Sequence, residues 1–342
     1  MNSSQTRRSF LRQLAMTGGA LAAAAKLPAT SFGQASAASA TMSSSPWAKQ
    51  IGLELYTVRD LLSTPKSYVA TLEKIAAIGY REIEPANGYA GMAPKEFRAT
   101  LDQLGLSMPS THSGATEGAD LEKDLEGFQV MGLKYVEISE PRPVGGRGPG
   151  GPRRVATPGR RPQMNFQLRT ESSDAVKQTA DKLNQHGKLA KKFGMKILVH
   201  NHTTEFAPLS DKPDMKPYDI LLAHTDPDLV AMQLDIGWAI QAGQDPLAMF
   251  KKSPGRFELW HVKDMCDIDL MPAGAEEGKR MQLGARSIVP LGLGDIDYKP
   301  IFEAASLSGM KHFCVEQDTA ADWGDSVAAS SVSYKNLVAM LG

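Results

Sequence analysis

The chain has 342 residues, 42% of them hydrophobic and 22% charged, which supplies one large buried core and excludes a fibrous, coiled-coil or low-complexity protein. Lys+Arg and Asp+Glu both number 38, but the first 37 residues carry Arg7, Arg8, Arg12 and Lys26 and no acid, leaving 34 basic against 38 acidic side chains. Such a mildly acidic body has no general attraction for a phosphate backbone, so nucleic acid is not the expected partner. Cys266 and Cys314 are too few for a disulfide framework and lack zinc-knuckle spacing; they read as buried thiols.

In chain order, Thr6-Arg7-Arg8-Ser9-Phe10-Leu11-Arg12 precedes an apolar, Ala/Gly-rich run from Leu14 to Ala25 and then small residues that include Ala35-Ser36-Ala37. This succession resembles a twin-arginine export signal over residues 1–37, with 38–50 as a linker. The apolar run is shorter than the ~20 residues that span a bilayer, so cleavage is expected rather than a retained anchor. The resemblance implies a periplasmic or secreted protein with no integral membrane segment in its mature chain. Export of folded protein also hints at a cofactor inserted beforehand.

From residue 51 to 342, short β-rich runs alternate with segments of helical period. Strands are expected at Gly52–Tyr56, Arg81–Pro85, Leu106–Thr111, Lys134–Ser139, Lys196–Asn201, Ala231–Ile236, Phe257–Val262 and His312–Gln317. Helices are expected at Lys66–Ile78, Pro94–Leu104, Asp120–Met131, Ala175–Phe193, Asp245–Lys252 and Lys299–Ser308. Eight βα units over this length give an α/β fold, a single-domain (β/α)8 TIM barrel whose active site gathers at the C-terminal ends of the strands. A doubly wound open sheet competes, but no GxGxxG turn follows the first strand and no P-loop is present. Arg142–Pro162, with five prolines and six arginines, is too poor in apolar residues to fold alone and reads as a Gly/Pro/Arg-rich insertion after strand four, spanning about 141–170. A second long connection follows strand seven and ends in Pro290-Leu291-Gly292-Leu293-Gly294-Asp295.

Barrel strands are apolar inside, so ionisable residues at their ends require a reason. Strand two ends in Glu84 and strand three runs into His112; strand five ends in His200-Asn201-His202, with Glu205 beyond. Strand six carries Asp235, strand seven His261 followed by Lys263 and Asp264, and strand eight Glu316 followed by Asp318. Imidazoles and carboxylates converging on one rim repel one another or lose their hydration unless a cation sits among them. Mixed nitrogen and oxygen donors suit one divalent ion: Mn, Co, Zn, Mg or Fe.

Ile51-Gly52-Leu53-Glu54-Leu55-Tyr56-Thr57-Val58-Arg59-Asp60, Gly79-Tyr80-Arg81-Glu82-Ile83-Glu84, His200-Asn201-His202-Thr203-Thr204-Glu205-Phe206, Leu234-Asp235-Ile236-Gly237-Trp238, His261-Val262-Lys263-Asp264 and Val315-Glu316-Gln317 together resemble the xylose isomerase-like sugar isomerase/epimerase superfamily. The resemblance implies one divalent metal held by strands five to eight, with Asp235, His261 and Glu316 at ligand positions and His200 where many relatives have glutamate. Those relatives use two metal-bound glutamates, one on each face of the substrate; here only Glu316 remains in that role. It further implies a small-molecule sugar or glycoside substrate and proton removal beside a carbonyl, with a Lewis acid stabilising the enediolate.

In that scheme Glu316 takes the proton, Glu84, His202 or Glu205 returns it, and Lys263 supports negative charge. His112, Glu205, Trp238 and Asp264, with Tyr56 and Arg59, are candidates for substrate contact. The leading expectation is a sugar isomerase or epimerase. The alternatives are a 3-keto-glycoside lyase or hydrolase working by β-elimination, and a barrel that binds carbohydrate without turning it over. Endonuclease IV relatives share the barrel but need more ligands and a basic face.

Overall fold

Parallel strands need both faces covered and every edge paired. In the computed structural model, which describes residues 45–86, 88–139, 172–266 and 288–342, the chain meets both needs by rolling its sheet into a barrel. The strands are β1 (Gly52–Glu54), β2 (Glu82–Glu84), β3 (Ser110–Thr116), β4 (Tyr135–Ser139), β5 (Lys196–His200), β6 (Val230–Asp235), β7 (Leu259–Val262), β8 (Asp264–Met265), β9 (Ile288–Val289) and β10 (His312–Val315). All but β8 and β9 form one sheet in the order β2-β1-β10-β7-β6-β5-β4-β3, every pair parallel. The remaining seam is nearly closed by a parallel bridge from Glu82 to Ser107 and by the His112 N–H, which donates to the Pro85 carbonyl at 2.9 Å. Among the described residues no helix is long and apolar enough to cross a membrane.

The connecting helices begin and end where their local chemistry dictates. In α1 (Pro65–Ile78), Thr64 and Ser67 cap one another's backbone N–H groups at 3.1 and 3.0 Å, and proline opens the first turn. Gly105 and Gly132, both left-handed, close α2 (Pro94–Leu104) and α3 (Leu121–Met131). Ser172 caps α4 (Ser173–Lys192). Leu72, Leu101, Leu125 and Ala180 from these helices join Leu53, Ile83, Val136, Ile197 and Val315 from the strands in one buried core. The expected signal over 1–37 and the insertion over 141–170 lie outside the described residues.

Two departures from the expected strand bounds shape the site. Strand three was expected over Leu106–Thr111, yet β3 begins at Ser110, because Pro109 has no N–H to give a ladder, and runs on to Thr116 through a register shift between Thr111 and Ala115. Gly114 permits this: a Cβ there would lie 2.1 Å from the Glu137 carbonyl oxygen. His112 therefore sits within a strand rather than beyond one. Strand one stops at Glu54, whose side chain caps the 3-10 turn Leu55–Leu61 through the Tyr56 N–H.

The two barrel ends divide the polar residues by task. At the N-terminal end, Glu258 accepts hydrogen bonds from Lys196 (2.5 Å), Lys311 (2.7 Å) and the Tyr135 hydroxyl (2.8 Å), tying β4, β5, β7 and β10 together. Burial works against this carboxylate's charge, but the two ammonium groups and Tyr135 outweigh it and hold its pKa below the ordinary value. The stability it adds is present above the unfolded glutamate pKa of about 4.3 and is lost as pH falls through the lower folded value. Glu258→Gln is expected to cost about 2 kcal/mol at pH 7, and less in acid, by urea unfolding at several pH values.

Candidate metal centre

The opposite, C-terminal end of the barrel gathers four atoms from four consecutive staves. His200 ends β5, Asp235 ends β6, His261 lies in β7 and Glu316 directly follows β10. One donor atom from each lies within 4.8 Å of the other three. His200 Nε2 is 3.6 Å from Asp235 Oδ2, and His261 Nδ1 is 4.0 Å from Asp235 Oδ2 and 2.9 Å from Glu316 Oε2. These four atoms are all buried, and none makes a hydrogen bond of acceptable geometry. Four buried donor atoms clustered in one place, none in a well-aligned hydrogen bond and two of them facing only a monovalent charge, the Lys263 ammonium at 3.0 Å, are well served by a dication, so the residues present fit a divalent ion.

In Asp235 and His261 the second polar atom shows why the first stays turned to the cluster. Asp235 Oδ1 caps α5 (Ile236–Gln241) by accepting the Trp238 N–H at 2.8 Å, which leaves Oδ2 for the cluster. The Asp235 backbone N–H donates to Asn201 Oδ1 at 3.1 Å, and Asn201 returns a hydrogen bond to the Asp235 carbonyl, locking β5 to β6 where the ligands emerge. His261 Nε2 contacts Glu84 Oε1 at 2.8 Å, so its Nδ1 is the nitrogen left facing the cluster.

Electrostatics sort the ligands. Burial, followed by the charges of His261 and His112, pushes the His200 pKa well down and keeps that imidazole neutral. Burial raises Asp235 to about 6 against the pull of Lys263. Burial opposes charging of His261, but Glu84 and Glu316 overcome it and raise its pKa to about 10, so a cation binding there displaces a proton. Glu316 is held well below the carboxylate range: burial acts against its charge, but Lys263 and His261 act more strongly for it.

The other expected site residues divide between the rim and the wall behind it. Glu84, expected to return a proton, is completely buried and faces donors from His261, Gln233 (2.8 Å), Ser110 and, at 2.8 Å, His112. It holds the His261 ring rather than meeting solvent. His112 stacks on His261 with ring centroids 5.1 Å apart, and Glu84 followed by Glu137 raises its pKa well above the usual value despite burial. His202 reaches the open mouth, its ring 4.9 Å from that of His200. Lost hydration and then the Lys263 charge lower its pKa. Glu205 accepts the His202 N–H at 2.7 Å and the Thr204 hydroxyl at 3.0 Å, so it holds the turn that presents His202.

Lys263 is buried against Asp235, Glu316 and Asp318. Trp238, expected to face a sugar, is itself buried, with the Lys263 ammonium 4.9 Å from its ring centroid. The Asp264 carboxylate is turned into the loop, accepting N–H groups of Met265, Gly292 and Gly294 at 2.8 to 3.0 Å. Arg59 donates to the Tyr56 and Asp318 carbonyls, fastening the first turn to the chain beyond β10. Sequence reasoning missed Gln233 and Ser110. Gln233 had a visible signal: it is the one amide in the otherwise apolar run before Asp235, two residues away and therefore on the same strand face.

Residues 72–332 match the family model described as xylose isomerase-like TIM barrel. The inosose dehydratase of Geobacillus kaustophilus is 28% identical over 246 residues, covering 68% of this chain and 73% of that protein. The inosose dehydratase of Lacticaseibacillus casei is 26% identical over 273 residues, covering 74% and 84%. A sugar phosphate isomerase/epimerase from Parabacteroides distasonis superposes with a TM-score of 0.60 at 21% identity, covering 85% of this chain and 94% of its own. The IOLI protein with a bound zinc atom superposes at 0.56 with 15% identity, covering 85% and 98%. With the nearly closed parallel barrel already described, the match over most of the chain means that this protein belongs to the xylose isomerase-like TIM-barrel family.

Proposed function

We propose that this protein is a divalent-metal-dependent lyase that removes a proton beside the carbonyl of a keto-polyol or keto-sugar and expels the oxygen on the next carbon. The observation that carries this reading is the single carboxylate base. Among the described residues, the four-atom cluster holds two carboxylates, and one of them, Asp235, is tied to the helix cap through Oδ1. On the strand-five side His200 stands as a neutral imidazole instead of a second, matched acid. Epimerisation across two substrate faces requires such a pair; elimination on one face does not.

His200, Asp235, His261 and Glu316 would hold a dication, which would supply Lewis acidity toward the substrate carbonyl. The chain's own residues do the rest. Glu316 takes the carbon-bound proton on its oxygen not directed at the cluster. The released electron pair forms the carbon–carbon double bond as the neighbouring carbon–oxygen bond breaks, and the same carboxyl group hands its proton to the departing oxygen. His202 at the mouth hydrogen-bonds a substrate hydroxyl, and Glu205 keeps it there. The similarity to inosose dehydratases supports a dehydration of this type, and a 3-keto-glycoside losing its aglycone follows the same course. The family-level alternative is epimerisation or isomerisation.

Incubating the metal-loaded protein with inosose, and separately with a 3-keto-glucoside, in deuterium oxide distinguishes these. The expected result is appearance of the unsaturated ketone with loss of water or aglycone, followed by proton NMR and ultraviolet absorbance. Deuterium wash-in with full retention of the β-oxygen establishes the epimerase reading instead. No exchange and no elimination with either compound leaves a binding barrel.

A further inference from the structure

Lys263 is among the largest fully buried side chains of the described residues, so its charge must be met inside the protein. Its ammonium lies 3.0 Å from Asp235 Oδ2, 3.0 Å from Glu316 Oε2 and 2.9 Å from Asp318 Oδ2. The first two oxygens are the atoms that the cluster offers to a dication; the third belongs to a residue outside the cluster, with a side chain 25% exposed. None of the three makes a well-aligned hydrogen bond, so they meet the ammonium as a charge held in common. One monovalent cation is thus already seated against half of the ligand set.

The rest of Lys263 is fastened. The Tyr298 hydroxyl donates to its carbonyl at 2.8 Å, and Gly237 admits its stem so closely that a Cβ there would lie 3.0 Å from Lys263 Cβ and 3.2 Å from its Cγ. Backbone and stem are fixed by these contacts, which leaves movement to the terminal bonds that carry the ammonium.

We propose that Lys263 is a built-in competitor of the metal: its ammonium neutralises Asp235 and Glu316 in the metal-free protein and must be drawn aside, keeping Asp318 as its partner, when a dication takes those oxygens. Lys263 then sets metal affinity without being a ligand, and Asp318 acts as the receiving anion. The inference rests on the ligand assignment above. An ammonium and a dication a few ångströms apart repel strongly even in a polarisable interior, so deleting the ammonium changes affinity in a definite direction.

The test is calorimetric titration of the metal-free wild type, Lys263→Met, Asp318→Asn and the double variant with manganese, with thermal unfolding of each protein before and after loading. Lys263→Met is expected to bind manganese about tenfold tighter or more. Its metal-free form unfolds at lower temperature and gains more on loading than wild type does. Asp318→Asn is expected to bind more weakly in the wild-type background and to have little effect once Lys263 is gone. A lysine that merely props up the ligands gives the opposite sign, because both single variants then weaken binding. Folded Lys263→Met that binds no tighter than wild type overturns the proposal. Where that variant does not fold, Lys263→Gln, which retains hydrogen-bonding atoms without the charge, carries the same two outcomes. A wild type that takes up manganese normally separates failure of this inference from failure of the ligand assignment; no binding by any of the proteins overturns both.

Discussion

Glu316→Gln is expected to lower turnover of the keto substrate by about 10²- to 10⁴-fold, the range that a positioned acid–base group contributes. The amide keeps an oxygen able to approach a cation but cannot accept a proton from carbon. Metal occupancy should therefore fall far less than rate, and the two must be measured together, by single-turnover kinetics and by metal titration of the same preparation. Removing the charge also frees His261 and Lys263 of one partner each, at 2.9 and 3.0 Å. The His261 pKa should fall from about 10, since Glu316 is one of the two carboxylates that raise it against burial. A variant that is metal-loaded and retains a tenth or more of wild-type turnover would remove Glu316 from the base role.

The second large effect is expected behind the ligands. Glu84→Leu is close in volume and deletes the carboxylate on which His261, His112, Gln233 and Ser110 converge. Burying those donors without their acceptor should cost about 3–5 kcal/mol in denaturant unfolding. Metal affinity should drop about 10- to 100-fold as well, since His261, a proposed ligand, loses the group that fixes its ring. His112 provides an independent readout. Its pKa is raised chiefly by Glu84 against the effect of burial, so in the variant its imidazole signals should titrate at a markedly lower pH. Unchanged stability and unchanged metal binding would show that Glu84 does not position His261.

Much of this was legible because a barrel sorts polarity along each strand. His200, Asp235, His261 and Glu316 each interrupt or end an apolar run, and the sheet order places β5, β6, β7 and β10 side by side, so their ends had to meet. Contacts across the barrel were not legible. Glu84 and Gln233 are 149 positions apart and touch because β2 and β6 face each other through the interior, which no local pattern reports. The same holds for Trp238: an aromatic ring after Asp235-Ile236-Gly237 looks like a surface for a sugar, yet the close approach at Gly237 packs the ring under Lys263. The start of β3 was misplaced by hydrophobicity, since Leu106 and Met108 are buried without belonging to the ladder.

The short pair β8 and β9 has a consequence for how such a protein diversifies. Asp264 pairs with Val289 and Met265 with Ile288, while the Asp264 carboxylate grips the Gly292 and Gly294 amides, so the chain leaves and re-enters the barrel rim through one clamp. Gly294 is irreplaceable in this role, because a Cβ there would meet Asp264 Oδ1 at 2.1 Å. The clamp fixes both ends of the connection between Cys266 and Ile288. Its length can drift at a closure cost that grows only logarithmically, while Lys263, one residue upstream of the clamp, keeps its place.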